Sequence, residues 1–117
     1  MITELRTYTL AFGTTARYFD HYRELGQAPQ WRILGNPVGY YTTEVGPLNQ
    51  VVHLWSYSSF EDRMARRAAL WNDAAWLKFI EAIKPIVVAQ ESRLMVPARL
   101  DGVAAAASSD ADSGRCA

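Results

Sequence analysis

The eight residues QVVHLWSY, Gln50 to Tyr57, restrict the possible folds more than any other part of the chain. Side chains alternate between the two faces of an extended strand. Val52 and Leu54 therefore point one way, and Val51, His53, Trp55 and Tyr57 the other. A sheet with one face in water carries a polar set on that face, whereas here both faces are apolar at their centre. Such a strand belongs in the interior of a sheet that is covered on both sides. Its borders are also marked. GPLN before it supplies Gly and Pro for a hairpin loop, and Ser58 followed by Glu61 is a capping box that opens a helix.

The remaining elements follow from periodicity and punctuation. ITELRTYTL alternates and is rich in Thr, Ile and Tyr, which predicts a strand over residues 2–10. Gly13 ends it, and Thr14 or Thr15 caps a helix with Tyr18, Phe19, Tyr22 and Leu25 as its apolar stripe. Gly26 and Pro29 are expected to interrupt that helix, with one more turn through QWRIL before GNP. Residues 38–45 read as a second strand and 50–57 as the third. The next helix carries Phe60, Met64, Ala68 and Trp71. It restarts at Asn72 or Asp73, with Trp76, Phe79, Ile80 and Ile83 on its buried side. Pro85 breaks it, and SRLMVP (92–97) closes the domain as a short strand.

This βαββαβ order predicts an α+β, ferredoxin-like domain, a four-stranded antiparallel sheet with both helices on one face. The first and third strands are central, and Pro37 and Pro97 flank the two edge strands. Because the helices cover one face only, a second copy is expected on the other, giving a homodimer built as an α/β barrel.

At 117 residues the chain is one domain, read as residues 1–100 followed by a disordered tail, 101–117, that is small, polar and without a periodic apolar face. Twelve Lys+Arg against twelve Asp+Glu leave no net charge, which argues against a nucleic-acid partner. Cys116 is the sole cysteine, and the two histidines are not spaced as metal ligands. No metal and no cofactor is called for, and the glycines form neither a P-loop nor GxGxxG. With no long apolar segment, neither a signal peptide nor a membrane insertion is expected, and the default location is the cytoplasm.

Four segments, ELRTYTL (4–10), GYYTTEVGPLNQVVHLWSY (39–57), FEDRMARRAAL (60–70) and ESRLMVP (91–97), resemble the NIPSNAP family. The resemblance runs from residue 2 to about residue 100. It implies membership of the dimeric α/β-barrel group, which also holds small cofactor-free monooxygenases, EthD-like proteins and haem-binding chlorite dismutase relatives. Eukaryotic members are linked to mitochondria and vesicles. This chain opens directly at the domain, with no presequence, so those locations are not expected of it. The family carries no agreed enzymatic activity, and the resemblance supports a fold more than a function.

The candidate ligand pocket consists of two rows. Glu4, Arg6 and Tyr8 form one alternate row of the first strand, and His53, Trp55 and Tyr57 one row of the third; Tyr40 of the second strand can join them. If the rows share a face, charged and aromatic groups converge in a dry region, where buried charge must be paired and a few fixed polar groups in an apolar setting suit a small molecule. The competing reading is an internal polar network that sets packing and dimer register. His53 alone could be a general base, but no nucleophile lies beside it, and a hydrogen-bonded buried histidine is the simpler reading. Arg63, Arg66 and Arg67, three and four residues apart, are a secondary anion-binding candidate or else a solvated face partly neutralised by Asp62. Trp71, Trp76 and Phe79 are core at helical spacing, or the wall of a pocket between helix and sheet. The functions in view are a small-molecule-binding dimeric barrel, a cofactor-independent monooxygenase-like or isomerase-like enzyme acting on an aromatic substrate, and a non-catalytic interaction module. Haem binding would have to use His53 or His21.

Overall fold

The computed structural model describes residues 1–100. The segment read as a disordered tail, 101–117, lies outside the described residues. Strand β1 (Ile2–Leu10) is followed by α1 (Thr15–His21), a π-helical turn (Tyr22–Gly26) and α2 (Gln27–Leu34). Then come β2 (Gly39–Thr42), β3 (Gln50–Tyr57), α3 (Phe60–Leu70), α4 (Ala74–Ile83) and β4 (Val87–Met95). The sheet order is β2-β3-β1-β4, and all three pairings are antiparallel. This is the ferredoxin-like arrangement, with β1 and β3 central.

Four boundaries depart from the sequence reading. Gly26 and Pro29 do not interrupt the first helix; the backbone runs on as a rod whose middle turn is wider. Pro29 has no N–H to give Leu25, and just before it the Gln27 N–H bonds to the Tyr22 carbonyl five residues back. Gly26 is needed there for contact, since a Cβ at that position would come within 2.8 Å of the Phe79 ring. The cap of α3 is Ser59 rather than Ser58, its hydroxyl accepting from the Asp62 N–H at 3.0 Å. Strand β2 is shorter than residues 38–45. Strand β4 starts five residues before the expected 92 and ends at Met95, because β1 carries a partner from Thr3 to Leu10, with Leu10 opposite Val87 across a bulge.

Asp73 caps α4 by accepting from the Trp76 N–H at 2.9 Å, as one of the two expected restarts. The core lies between the sheet and the helices. Tyr18 and Tyr22 stack at 6.2 Å, and Phe79 meets both edge-on at 5.9 and 5.6 Å. On the opposite face, Thr3, Leu5 and Thr7 of β1 lie beside Val52, Leu54 and Ser56 of β3, all partly exposed. There Thr3 and Ser56 hydroxyls share a hydrogen bond of 3.0 Å. That face is therefore a mixture of Thr, Leu and Val rather than a continuous apolar surface.

Candidate functional site

Directly opposed residues of antiparallel strands project from the same face. Glu4 stands opposite Trp55, Arg6 opposite His53 and Tyr8 opposite Val51, while Tyr40 of β2 also faces His53. The two rows therefore share one face, and it is the face the helices cover: Tyr40 meets the Tyr18 hydroxyl of α1 at 2.7 Å. From β4, Ser92 lies opposite Arg6 and Gln90 opposite Tyr8.

Glu4 has no exposed surface. Its carboxylate accepts from Arg63 Nε at 3.0 Å and Nη2 at 2.9 Å, from Arg6 Nη1 at 2.8 Å and from the Ser92 hydroxyl. Burial alone raises its pKa, but the hydrogen bonds from Arg63, Ser92 and Arg6 outweigh it and hold the carboxyl at about 2. Glu4 is thus a fixed anion that organises two arginines, with no capacity left to take a substrate proton.

His53 is likewise fully buried. The Trp55 indole donates to its Nδ1 at 2.6 Å, so the neutral ring carries its proton on Nε2. Burial, with Arg6 adding to it, lowers its pKa to about 3. Tyr40 stacks on the ring at 4.6 Å and Tyr8 meets it edge-on at 4.9 Å. A ring held neutral, with its basic nitrogen occupied, is neither a general base at neutral pH nor an open axial ligand. Tyr57 is buried at the end of the row, and its hydroxyl has no partner among the described residues.

The three arginines of α3 do not form a patch. Arg63 turns inward to Glu4. Arg66 bonds Asp62 at 2.9 Å and the Ile33 carbonyl at 3.1 Å, tying α3 to α2. Arg67 reaches a cavity of about 210 Å³ between the sheet and α4, lined also by Arg6, Tyr8, Gln30, Trp71 and Trp76, with Ile80, Ile83 and Val87 as apolar wall. Of the two rows, only Arg6 and Tyr8 reach this space; Glu4, His53, Trp55, Tyr57 and Tyr40 lie behind it or beside it. Gln30 and Gln90 were not singled out from sequence. Gln30 could have been suspected, because it sits in a helix that buries Pro29 and Leu34 on the same side.

No Asp or Glu lines the cavity. Burial, with Arg6 close by, lowers the pKa of Arg67. Among the described residues no group of three His, Cys, Asp or Glu side chains could hold a metal ion, and no helix is long and apolar enough to cross a membrane.

The family model described as NIPSNAP matches residues 3–100, nearly all of the described chain. The chain belongs to the NIPSNAP family. The protein NipSnap homolog 1 of Danio rerio is 34% identical over 97 residues, which is 82% of this chain and 34% of that protein. The NipSnap homolog of Dictyostelium discoideum is 33% identical over 99 residues, 85% of this chain and 44% of that protein. The chain thus spans between a third and a half of the length of these curated relatives. The crystal structure of a NIPSNAP family protein of unknown function from Agrobacterium tumefaciens superposes with a TM-score of 0.83 at 38% identity, covering 89% of this chain and 94% of that one. An antibiotic biosynthesis monooxygenase superposes with a TM-score of 0.62 at 13% identity, covering 85% and 100%; this likeness is one of fold alone.

Proposed function

We propose that this NIPSNAP domain binds a small molecule in the cavity between its sheet and α4, and that it works as a homodimer. The observation that carries the reading is the cavity's composition, a few polar groups (Arg6, Arg67, Gln30) converging on a wall of Trp and Ile. That mixture is characteristic of small-molecule sites. The homodimer is supported by the partly exposed Leu5, Val52 and Leu54 on the open sheet face.

The cofactor-independent monooxygenase-like or isomerase-like reading draws support from the shared fold and the aromatic wall. It lacks a proton acceptor: Glu4 is saturated with donors and His53 is held neutral. Binding is the reading that the geometry favours.

A panel of single-ring aromatic compounds tested by thermal shift and tryptophan fluorescence examines this reading, because Trp71 and Trp76 line the space. A binder should change the fluorescence of the parent protein and lose its effect in Ile80→Trp, which fills the cavity. Equal binding by Ile80→Trp would place the site elsewhere.

A further inference from the structure

Several polar groups lining the cavity offer hydrogens that meet no acceptor, beside others that are paired, such as Arg6 Nη2, which donates to Gln90 at 3.1 Å. Arg6 Nε and the Trp76 indole N–H are buried and bond to nothing among the described residues. Both are donors only. Trp76 is 3% exposed, so water offers it little compensation. Gln30 accepts from the Tyr22 hydroxyl through its oxygen, and its amide nitrogen makes no bond among the described residues. The Arg67 guanidinium likewise has no acceptor there.

The charges are also uneven. Glu4 is shared by Arg6 and Arg63, while Lys84 is paired with Glu81 at 2.6 Å. Arg67 makes no ion pair among the described residues and feels only the more distant Glu4, which Arg6 and Arg63 already bond, from a partly desolvated position beside Arg6. A desolvated cation of this kind is costly unless something pairs with it.

Resting on the binding reading above, we infer that the ligand is a small carboxylic acid with an apolar, single-ring body. Its carboxylate would take the donors of Arg67, Arg6 and Trp76, and its ring would lie against Trp71, Ile80 and Ile83. Carboxylate oxygens suit this role because they only accept, and guanidinium matches them in a planar two-bond geometry. A space of about 210 Å³ falls below the roughly 300–1,000 Å³ of drug-sized sites, which limits the body to about one ring. Arg6, Arg63 and Arg67 outnumber the single Glu4 carboxylate, so the space calls for an anion, and the planar guanidinium fork of Arg67 matches a carboxylate.

Calorimetric titration of the full chain with benzoate, its neutral isostere benzamide, and inorganic phosphate tests the inference, with Arg67→Gln and Arg67→Lys beside the parent. Hydrogen bonds to charged groups are worth about 1.5–3 kcal/mol, so benzoate should bind about tenfold or more tighter than benzamide. Arg67→Gln should erase that preference, and Arg67→Lys should restore part of it. Benzamide binding as tightly as benzoate would overturn the carboxylate and leave the binding reading standing. Phosphate binding as tightly as benzoate would overturn the single-ring acid in favour of a bare oxyanion. No binding by any of the three would overturn both the inference and, for single-ring ligands, the reading beneath it.

Discussion

Arg63 grips Glu4 side-on, Nε to Oε1 at 3.0 Å and Nη2 to Oε2 at 2.9 Å, and so fastens α3 to the central strand across the sheet face. The same carboxylate holds Arg6 at the edge of the cavity. One buried anion therefore fixes both the helix and a pocket donor. Glu4→Gln keeps the shape and removes the charge, leaving two largely buried guanidinium groups uncompensated. Breaking a buried pair in this way costs about 3–5 kcal/mol. Urea denaturation should show that loss; a change below about 1 kcal/mol would mean that Glu4 does not organise the two arginines.

Stability should fall as the solution is acidified, in two stages. From pH 6.5 down to about 3 the unfolded chain takes a proton at His53 that the folded chain refuses, so folding loses up to about 1.4 kcal/mol per pH unit. Glu4 adds a second loss as pH falls from 4.5 toward about 2, because its folded pKa is depressed and the unfolded chain is protonated first; the total from this group is roughly 3 kcal/mol. His53→Gln, which can still accept from Trp55, should flatten the first stage and keep the second. Thermal melts across pH 2 to 8 measure both.

Gly26→Ala should destabilise, since the added Cβ would meet the Phe79 ring at 2.8–3.0 Å, and overpacking of this sort costs about 1–3 kcal/mol. The double variant with Phe79→Leu should lose less stability than the two single losses summed. Strict additivity in the double-mutant cycle would show that the close approach is not what excludes the methyl group.

On the open sheet face, Leu54→Lys should shift a homodimer to a monomer in light scattering while leaving the circular dichroism spectrum unchanged. If the parent chain is a monomer at micromolar concentration, the dimer proposal fails directly.

Arg67→Met keeps the apolar stem of the side chain and removes an unpaired cation that Arg6 repels. Without ligand it should stabilise the fold by about 1 kcal/mol, which is about 4–8 °C in melting midpoint for a domain of this size. A lower midpoint would mean that Arg67 already has its partner within the fold.

The order of elements was legible because each depends on local signals: alternation in ITELRTYTL, punctuation by GPLN, and caps before both later helices. Strand β4 was harder to read because it shows no buried row; its residues are mostly exposed, and its length is set by β1. The continuity of the first helix depends on a π-helical turn and on Phe79, which is more than fifty residues from Gly26 in sequence. The two rows of the candidate site could be listed from alternation, but whether they shared a face was a matter of register, which pairs Arg6 with His53. Arg63, Arg66 and Arg67 looked alike on a helical wheel. Only the positions of Glu4, Asp62 and the cavity separate their roles.

The most direct test of the binding site is a methyl NMR titration of isoleucine-labelled protein with benzoate. The Ile80 and Ile83 methyl signals, which line the cavity, should move in a saturable way, while those of Ile2 and Ile33 stay in place. Saturable shifts at Ile2 or Ile33 with Ile80 and Ile83 unmoved, or no shift at all, would contradict a site between the sheet and α4.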